Sequence, residues 1–117
     1  MFSLSSAQTY LFYTAPCDMR KGIDGLCGLV RQGLQREPTS GEVFVFLNRS
    51  RTTLKLLHWE PGGFVLYSKR LEQGRFARPV ASGAATLLRW PELVLMVEGI
   101  QLLTFRQKKR MRHPVSG

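Results

Sequence analysis

The four residues Glu60-Pro61-Gly62-Gly63 constrain the fold of this chain more than any others. Proline pre-sets the backbone for the second position of a tight turn, and glycine accepts the positive φ that the third position demands. The segments on either side read as strands. Thr53 to Trp59 alternates, with Leu54 and Leu56 on one face and Lys55, Leu57 and Trp59 on the other, and Phe64 to Lys69 is rich in β-branched and aromatic residues. Joined by that turn, the two predict an antiparallel hairpin. Val43 to Leu47 is apolar on both faces, which predicts a central strand of the same sheet.

The rest of the chain supplies one more strand and two helices. Thr9 to Tyr13 is a short strand broken by Thr14-Ala15-Pro16. Asp18 is a candidate N-cap for a helix over Met19 to Arg36. Met19, Ile23, Leu26, Cys27, Val30 and Leu34 form one apolar stripe on a 3.6-residue wheel, with Arg20 and Asp24 four apart and able to pair beside it. Pro38 disfavours helical geometry at Glu37, which places the end near Arg36. Gly22, Gly25, Gly28 and Gly33 weaken this helix by about 1 kcal/mol each relative to Ala. Gly25 and Gly28 lie away from the apolar stripe, so either tertiary contacts rescue a weak helix or another backbone or a nucleic-acid strand approaches that face closely. Val80 to Ala85 reads as a loop of small residues. A second helix is expected from about Pro91 to Glu98, with Leu93, Val94, Met96 and Val97 on its buried side and Gly99 as its stop. The fold class expected is α+β: a mostly antiparallel sheet of about four strands, with one helix across a face and a C-terminal helix.

At 117 residues the chain has room for one domain. The apolar pattern ends at Phe105, dividing a domain over 1–105 from a basic, flexible tail over 106–117. Apolar runs such as Val94-Leu95-Met96-Val97 fall far short of a membrane span. The N-terminus lacks the positive region of a signal peptide, and Pro16 before Cys17 is a poor processing site. Cys17 and Cys27 have neither a disulfide framework nor zinc spacing, so a reduced, cytoplasmic protein is expected.

Charge sets the function class. Seventeen Lys and Arg face eight Asp and Glu, a net +9, which makes a polyanion the default partner. One basic group falls on the expected sheet and its loops: Arg49, Arg51, Lys55, Lys69, Arg70, Arg75 and Arg78. A second lies in the tail: Arg106, Lys108, Lys109, Arg110 and Arg112. Twelve of the seventeen are Arg, which suits bidentate phosphate contact. Trp59, Tyr67 and Lys69 sharing a face with Lys55 would mix rings with charge as single-strand binders do, although such rings are more often core. Catalysis is not expected. The acids are scattered rather than gathered for Mg²⁺, His58 and His113 are each alone, and no phosphate loop, nucleophile triad or metal-spaced cluster is present. No cofactor is implied.

The motifs carry a resemblance. Cys17-Asp18-Met19-Arg20-Lys21-Gly22-Ile23-Asp24-Gly25-Leu26 is similar to the opening of the small accessory proteins of IS66-type insertion sequences, the element's second reading frame. These are unrelated to the RNA-guided nuclease that shares their usual name, TnpB. The similarity continues through Gly41 to Phe46, Arg49 to Arg51, Leu54 to Trp59, Gly63 to Tyr67, Lys69 to Phe76 and Val97 to Ile100, roughly residues 10 to 100. Asn48 departs from the more usual small or basic residue, and Arg78 stands where the family often has Trp. The resemblance implies a protein that assists transposition beside a separate, larger transposase carrying the catalytic carboxylates. DNA and that transposase are the partners expected, with no membrane. In the alternative reading the chain is an adaptor docking on the transposase through Asp18, Arg20, Lys21, Gly25 and Gly28. Neither charge nor resemblance specifies the oligomeric state.

Overall fold

The computed structural model describes residues 4–80 and 82–98. Its centre is a five-stranded sheet made of β1 (Tyr10–Tyr13), β2 (Val43–Leu47), β3 (Thr53–Glu60), β4 (Gly63–Arg70) and β5 (Ala85–Leu88), in the order β4-β3-β2-β1-β5. Every neighbour pairs antiparallel except β1 and β2, which run parallel and are joined by the helix α1 (Ile23–Gly33). A second helix, α2, covers residues 90–98. The α+β class expected from the sequence is what the chain adopts.

The local signals explain most of these elements. All five residues of β2 are buried, as a strand apolar on both faces and central in the sheet must be. Glu60 pairs with Gly63 across Pro61-Gly62, and Gly62 has φ 98°, a value that favours glycine. Odd and even residues of β3 separate onto two cores. Leu54 and Leu56 join Tyr10, Phe12, Val43, Val45, Leu71, Phe76, Leu88, Leu93 and Met96 on the α2 side. Leu57 joins Leu11, Phe44, Phe46, Leu26, Cys27, Val30 and Cys17 on the α1 side. The sheet is therefore covered on both faces, each buried Leu or Phe contributing about 1.5–3 kcal/mol of transfer free energy.

Five expectations need correction. The first helix does not begin at an Asp18 cap. Asp18 accepts hydrogen bonds from the Arg20 backbone N–H and guanidinium, which closes a turn, and Gly22 becomes an N-cap without a side-chain bond. Arg20 thus pairs with Asp18 and not with Asp24. The helix ends at Gly33, before Arg36, because Gln35 turns left-handed (φ 53°) and carries the Arg36 N–H back to the Val30 carbonyl. Pro38 opens a separate 3-10 turn, Pro38–Ser40. The loop expected to reach Ala85 instead passes there into a fifth strand, held by pairing with β1 from Tyr10↔Leu88 to Tyr13↔Ala85. Val94, expected on the buried side of α2, is exposed, whereas Leu93 and Met96 are buried.

Among the described residues no helix is long and apolar enough to cross a membrane. Both cysteines are free and buried, and burial pushes both thiols up from their ordinary pKa. Gly99 and the tail over 106–117 lie outside the described residues.

Candidate nucleic-acid interface

The registers place the sheet's cationic residues at one end. β1 and β2 finish at this end, β3 starts there, and β4 finishes there with Arg70 opposite Thr53 and Lys69 opposite Leu54. The β2–β3 turn carries Arg49 and Arg51. Arg75 and Arg78 arrive from further along the chain because the segment after β4 folds back onto that turn. The Leu71 N–H donates to the Thr52 carbonyl at 2.9 Å, and the Phe76 N–H to the Arg51 carbonyl at 2.6 Å. Phe76 itself is fully buried, anchoring the segment between the two arginines. The Arg78 guanidinium donates to the Thr14 carbonyl at 2.8 Å, just past the end of β1.

The turn that presents Arg49 and Arg51 is braced by side-chain hydrogen bonds, and its organiser is a residue the sequence reading did not single out as functional. The Asn48 side-chain oxygen accepts from the backbone N–H groups of Thr52 (2.9 Å) and Thr53 (3.0 Å), and its amide donates to the Thr52 hydroxyl (3.1 Å). Asparagine followed by a polar turn is the available sequence signal, since its side chain mimics a backbone turn. Arg51 adopts φ 60°, uncommon outside glycine, and is held there by backbone bonds to Asn48 and Phe76.

Ion pairs are unevenly placed along the strands, and among the described residues Arg20–Asp18, at 2.8 Å, is the one at the end just described. At the end just described, Arg49, Arg51, Lys69, Arg70, Arg75 and Arg78 make no ion pair with the described residues. At the opposite end the cations are matched: Arg31 to Glu37 at 3.6 Å, Arg36 to Glu42 at 2.8 Å, and Arg89 to Glu92 at 3.3 Å. Guanidinium groups left without carboxylates and open to solvent give a concentrated positive potential, the condition for attracting phosphates. Between Arg51 and Arg78 lies a cleft of about 10 Å³, lined also by Phe12, Thr14, Pro16, Leu47 and Asn48. That is room for about one water molecule, so any large ligand must lie on the surface.

Two expected contributors are placed differently. The Lys55 ammonium donates to the Met19 carbonyl at 2.8 Å and the Lys21 carbonyl at 2.9 Å. It ties β3 to the turn before α1, and two of its three protons are committed to the fold. The expected shared face of rings and charge does not form. Register puts Lys55 and Trp59 on the α1 side and Tyr67 and Lys69 on the other. Trp59 packs edge-on against Phe64 with centroids 4.9 Å apart, and Tyr67 packs on the core.

The residues of the alternative reading surround the entry to α1. Arg20 holds the Asp18 carboxyl down to about pH 2, chiefly through its side-chain hydrogen bonds. Lys21 packs along Gly25, where a Cβ would sit 3.1 Å from the Lys21 side chain, while Gly28 faces open space. His58, at the far end of β3, is buried with Nε2 3.1 Å from the Gln8 amide nitrogen. Among the described residues no group of three or more His, Cys, Asp or Glu is placed to hold a metal ion. The tail residues Arg106, Lys108, Lys109, Arg110 and Arg112 lie outside the described residues.

Comparison with known proteins agrees with the motifs. The model of the IS66 Orf2-like protein family matches residues 8–107. Two uncharacterized proteins of Sinorhizobium fredii are similar. One, y4jC, is 33% identical over 95 residues, covering 81% of each chain. The other, y4hO, is 37% identical over 87 residues, covering 74% of this chain and 76% of its own. No solved structure matches. The chain belongs to the IS66 Orf2-like family and is an accessory protein of an insertion sequence.

Proposed function

We propose that this IS66 Orf2-like protein is a non-catalytic factor that assists transposition by binding DNA phosphates with the basic end of its sheet. The observation that carries the reading is the contrast between the two ends. Arg31, Arg36 and Arg89 are matched by acids, whereas Arg49, Arg51, Lys69, Arg70, Arg75 and Arg78 gather at the other end with no ion pair among the described residues. Such contacts fix position on a duplex without reading its sequence. Neither α1 nor α2 carries a row of base-reading side chains toward that end, so choice of the element's termini falls to the transposase. The tail adds further cations to the same task.

The test replaces Arg49, Arg51, Lys69 and Arg70 together with Ala. Affinity should fall by a similar factor on a terminal fragment and on a scrambled one, with folding checked by circular dichroism. Unchanged affinity would remove these residues from the account.

The adaptor reading draws on a different observation: the outer face of α1 at Gly28 is uncovered, so another backbone can approach it closely. Capture of the transposase in the presence of nuclease separates the two readings, because a DNA bridge does not survive nuclease.

A further inference from the structure

The sheet has two edges, β5 with four residues and β4 with eight. β4 runs without a bulge from Gly63 to Arg70, and Phe64, Val65, Leu66 and Tyr67 along it are all half-buried. Its hairpin closes on the hydrogen-bonded pair Glu60↔Gly63. The alternation of an antiparallel ladder therefore turns the N–H and C=O groups of Phe64, Leu66, Ser68 and Arg70 away from β3. Long, regular, apolar edges are normally blunted by proline, bulges or central charges. Here charge stands only at one end, as Lys69 and Arg70.

We infer that two copies of this chain pair antiparallel along β4, with Leu66 of each on the two-fold axis. In this register Phe64 lies opposite Ser68 of the second copy, Val65 opposite Tyr67, and Lys69 opposite Gly63. It pairs Gly63 to Lys69 of each strand and leaves only Arg70 beyond the overlap. The slip centred on Tyr67 overlaps equally far, and charge selects between the two. Within each copy Glu60 is the cross-strand partner of Gly63, so Lys69 of one copy, Gly63 of the second and Glu60 of the second form a row on one face. Gly63 has no side chain, and nothing lies within 4 Å of where one would begin. The row spans two strand spacings, about 10 Å, which an extended Lys and Glu reach across together. Neither Lys69 nor Glu60 has an ion pair among the described residues, and symmetry forms the bridge twice. A parallel pairing would instead set Lys69 against Lys69.

Sedimentation equilibrium of the full chain, freed of nucleic acid with nuclease, should give twice the 13.3 kDa chain mass. Ser68→Pro removes an outward N–H and leaves the β3 ladder intact, so dimer affinity should fall by about tenfold or more through two lost interfacial hydrogen bonds. Ser68→Thr keeps the N–H and should keep the dimer. The charges give a test that does not depend on proline being tolerated. Lys69→Glu and Glu60→Lys chains should each dimerise more weakly than the parent, and should form a heterodimer when mixed. A monomer at all concentrations would overturn the inference, whether the edge is covered by the chain's own terminus, by the transposase or by nothing. A dimer indifferent to Ser68→Pro and to the charge reversals would also overturn it, by placing the interface elsewhere.

Discussion

Replacing Lys55 with Met distinguishes a cation that supports the fold from one that binds DNA. The ammonium is half-buried and donates to two backbone carbonyls, Met19 at 2.8 Å and Lys21 at 2.9 Å, that lie 36 and 34 residues away in sequence. Methionine keeps the length and apolar stem of the side chain but removes both bonds. A hydrogen bond to a charged group is worth about 1.5–3 kcal/mol, and a carbonyl left dry costs a similar amount. Water reaches part of this turn, since Arg20 beside it is exposed, so a net loss of about 2–3 kcal/mol is expected. For a domain of this size that lowers the melting temperature by about 10–15 °C. Urea unfolding followed by tryptophan fluorescence measures the first quantity and calorimetry the second. DNA affinity, compared at a temperature where both proteins are folded, should change little. A Lys55→Met protein as stable as the parent but weaker on DNA would refute the assignment and return Lys55 to the phosphate-binding set.

Other outcomes follow from single contacts. Gly28→Ala should stabilise the protein by about 1 kcal/mol, since a Cβ there meets nothing within 4 Å, while Gly33→Ala should gain less because its Cβ would sit 3.1 Å from the Tyr13 ring; chemical denaturation of both variants ranks them. The Asp18 carboxyl is held near pH 2 by Arg20, so the order of the turn before α1 should be complete above pH 4 and lost as pH falls through about 2. Carboxyl-detected NMR follows that titration, and Arg20→Ala should return the midpoint toward the ordinary Asp value near 4. Cys17 and Cys27 are buried with raised pKa, so both should react slowly with a thiol reagent at pH 8 in the native protein and rapidly in urea.

The parts of this fold that were legible in the sequence are those decided locally. Pro61-Gly62 determines its own turn, and the alternation of Thr53 to Trp59 assigns its own faces. The failures lie where one residue suits two local structures and a distant contact decides. Asp18 fits an N-cap and a turn equally well; Arg20 and the reach of Lys55 from β3 select the turn. Ala85 to Leu88 is too short to declare itself a strand and becomes one by pairing with β1. The candidate site was legible as a set of residues but not as a place. Arg75 and Arg78 reach Arg51 through the Phe76 N–H and the Thr14 carbonyl, contacts that no spacing rule encodes. Tyr67 and Lys69 fell on the face opposite Lys55 because antiparallel register pairs odd residues of β4 with even residues of β3.

The central claim is that the unpaired cations at one end of the sheet engage DNA phosphates, and salt dependence tests it most directly. Binding of the full chain to a terminal fragment and to a scrambled one is measured across a salt series, for the parent and for the Arg49, Arg51, Lys69 and Arg70 to Ala variant. The six cations at the end of the sheet contribute about −5 to the slope of log affinity against log salt, with tail contacts adding equally to parent and variant, so removing four contacts should make the slope shallower by about 3.6. Equal parent and variant slopes would contradict the account, as would absence of binding by the parent at low salt.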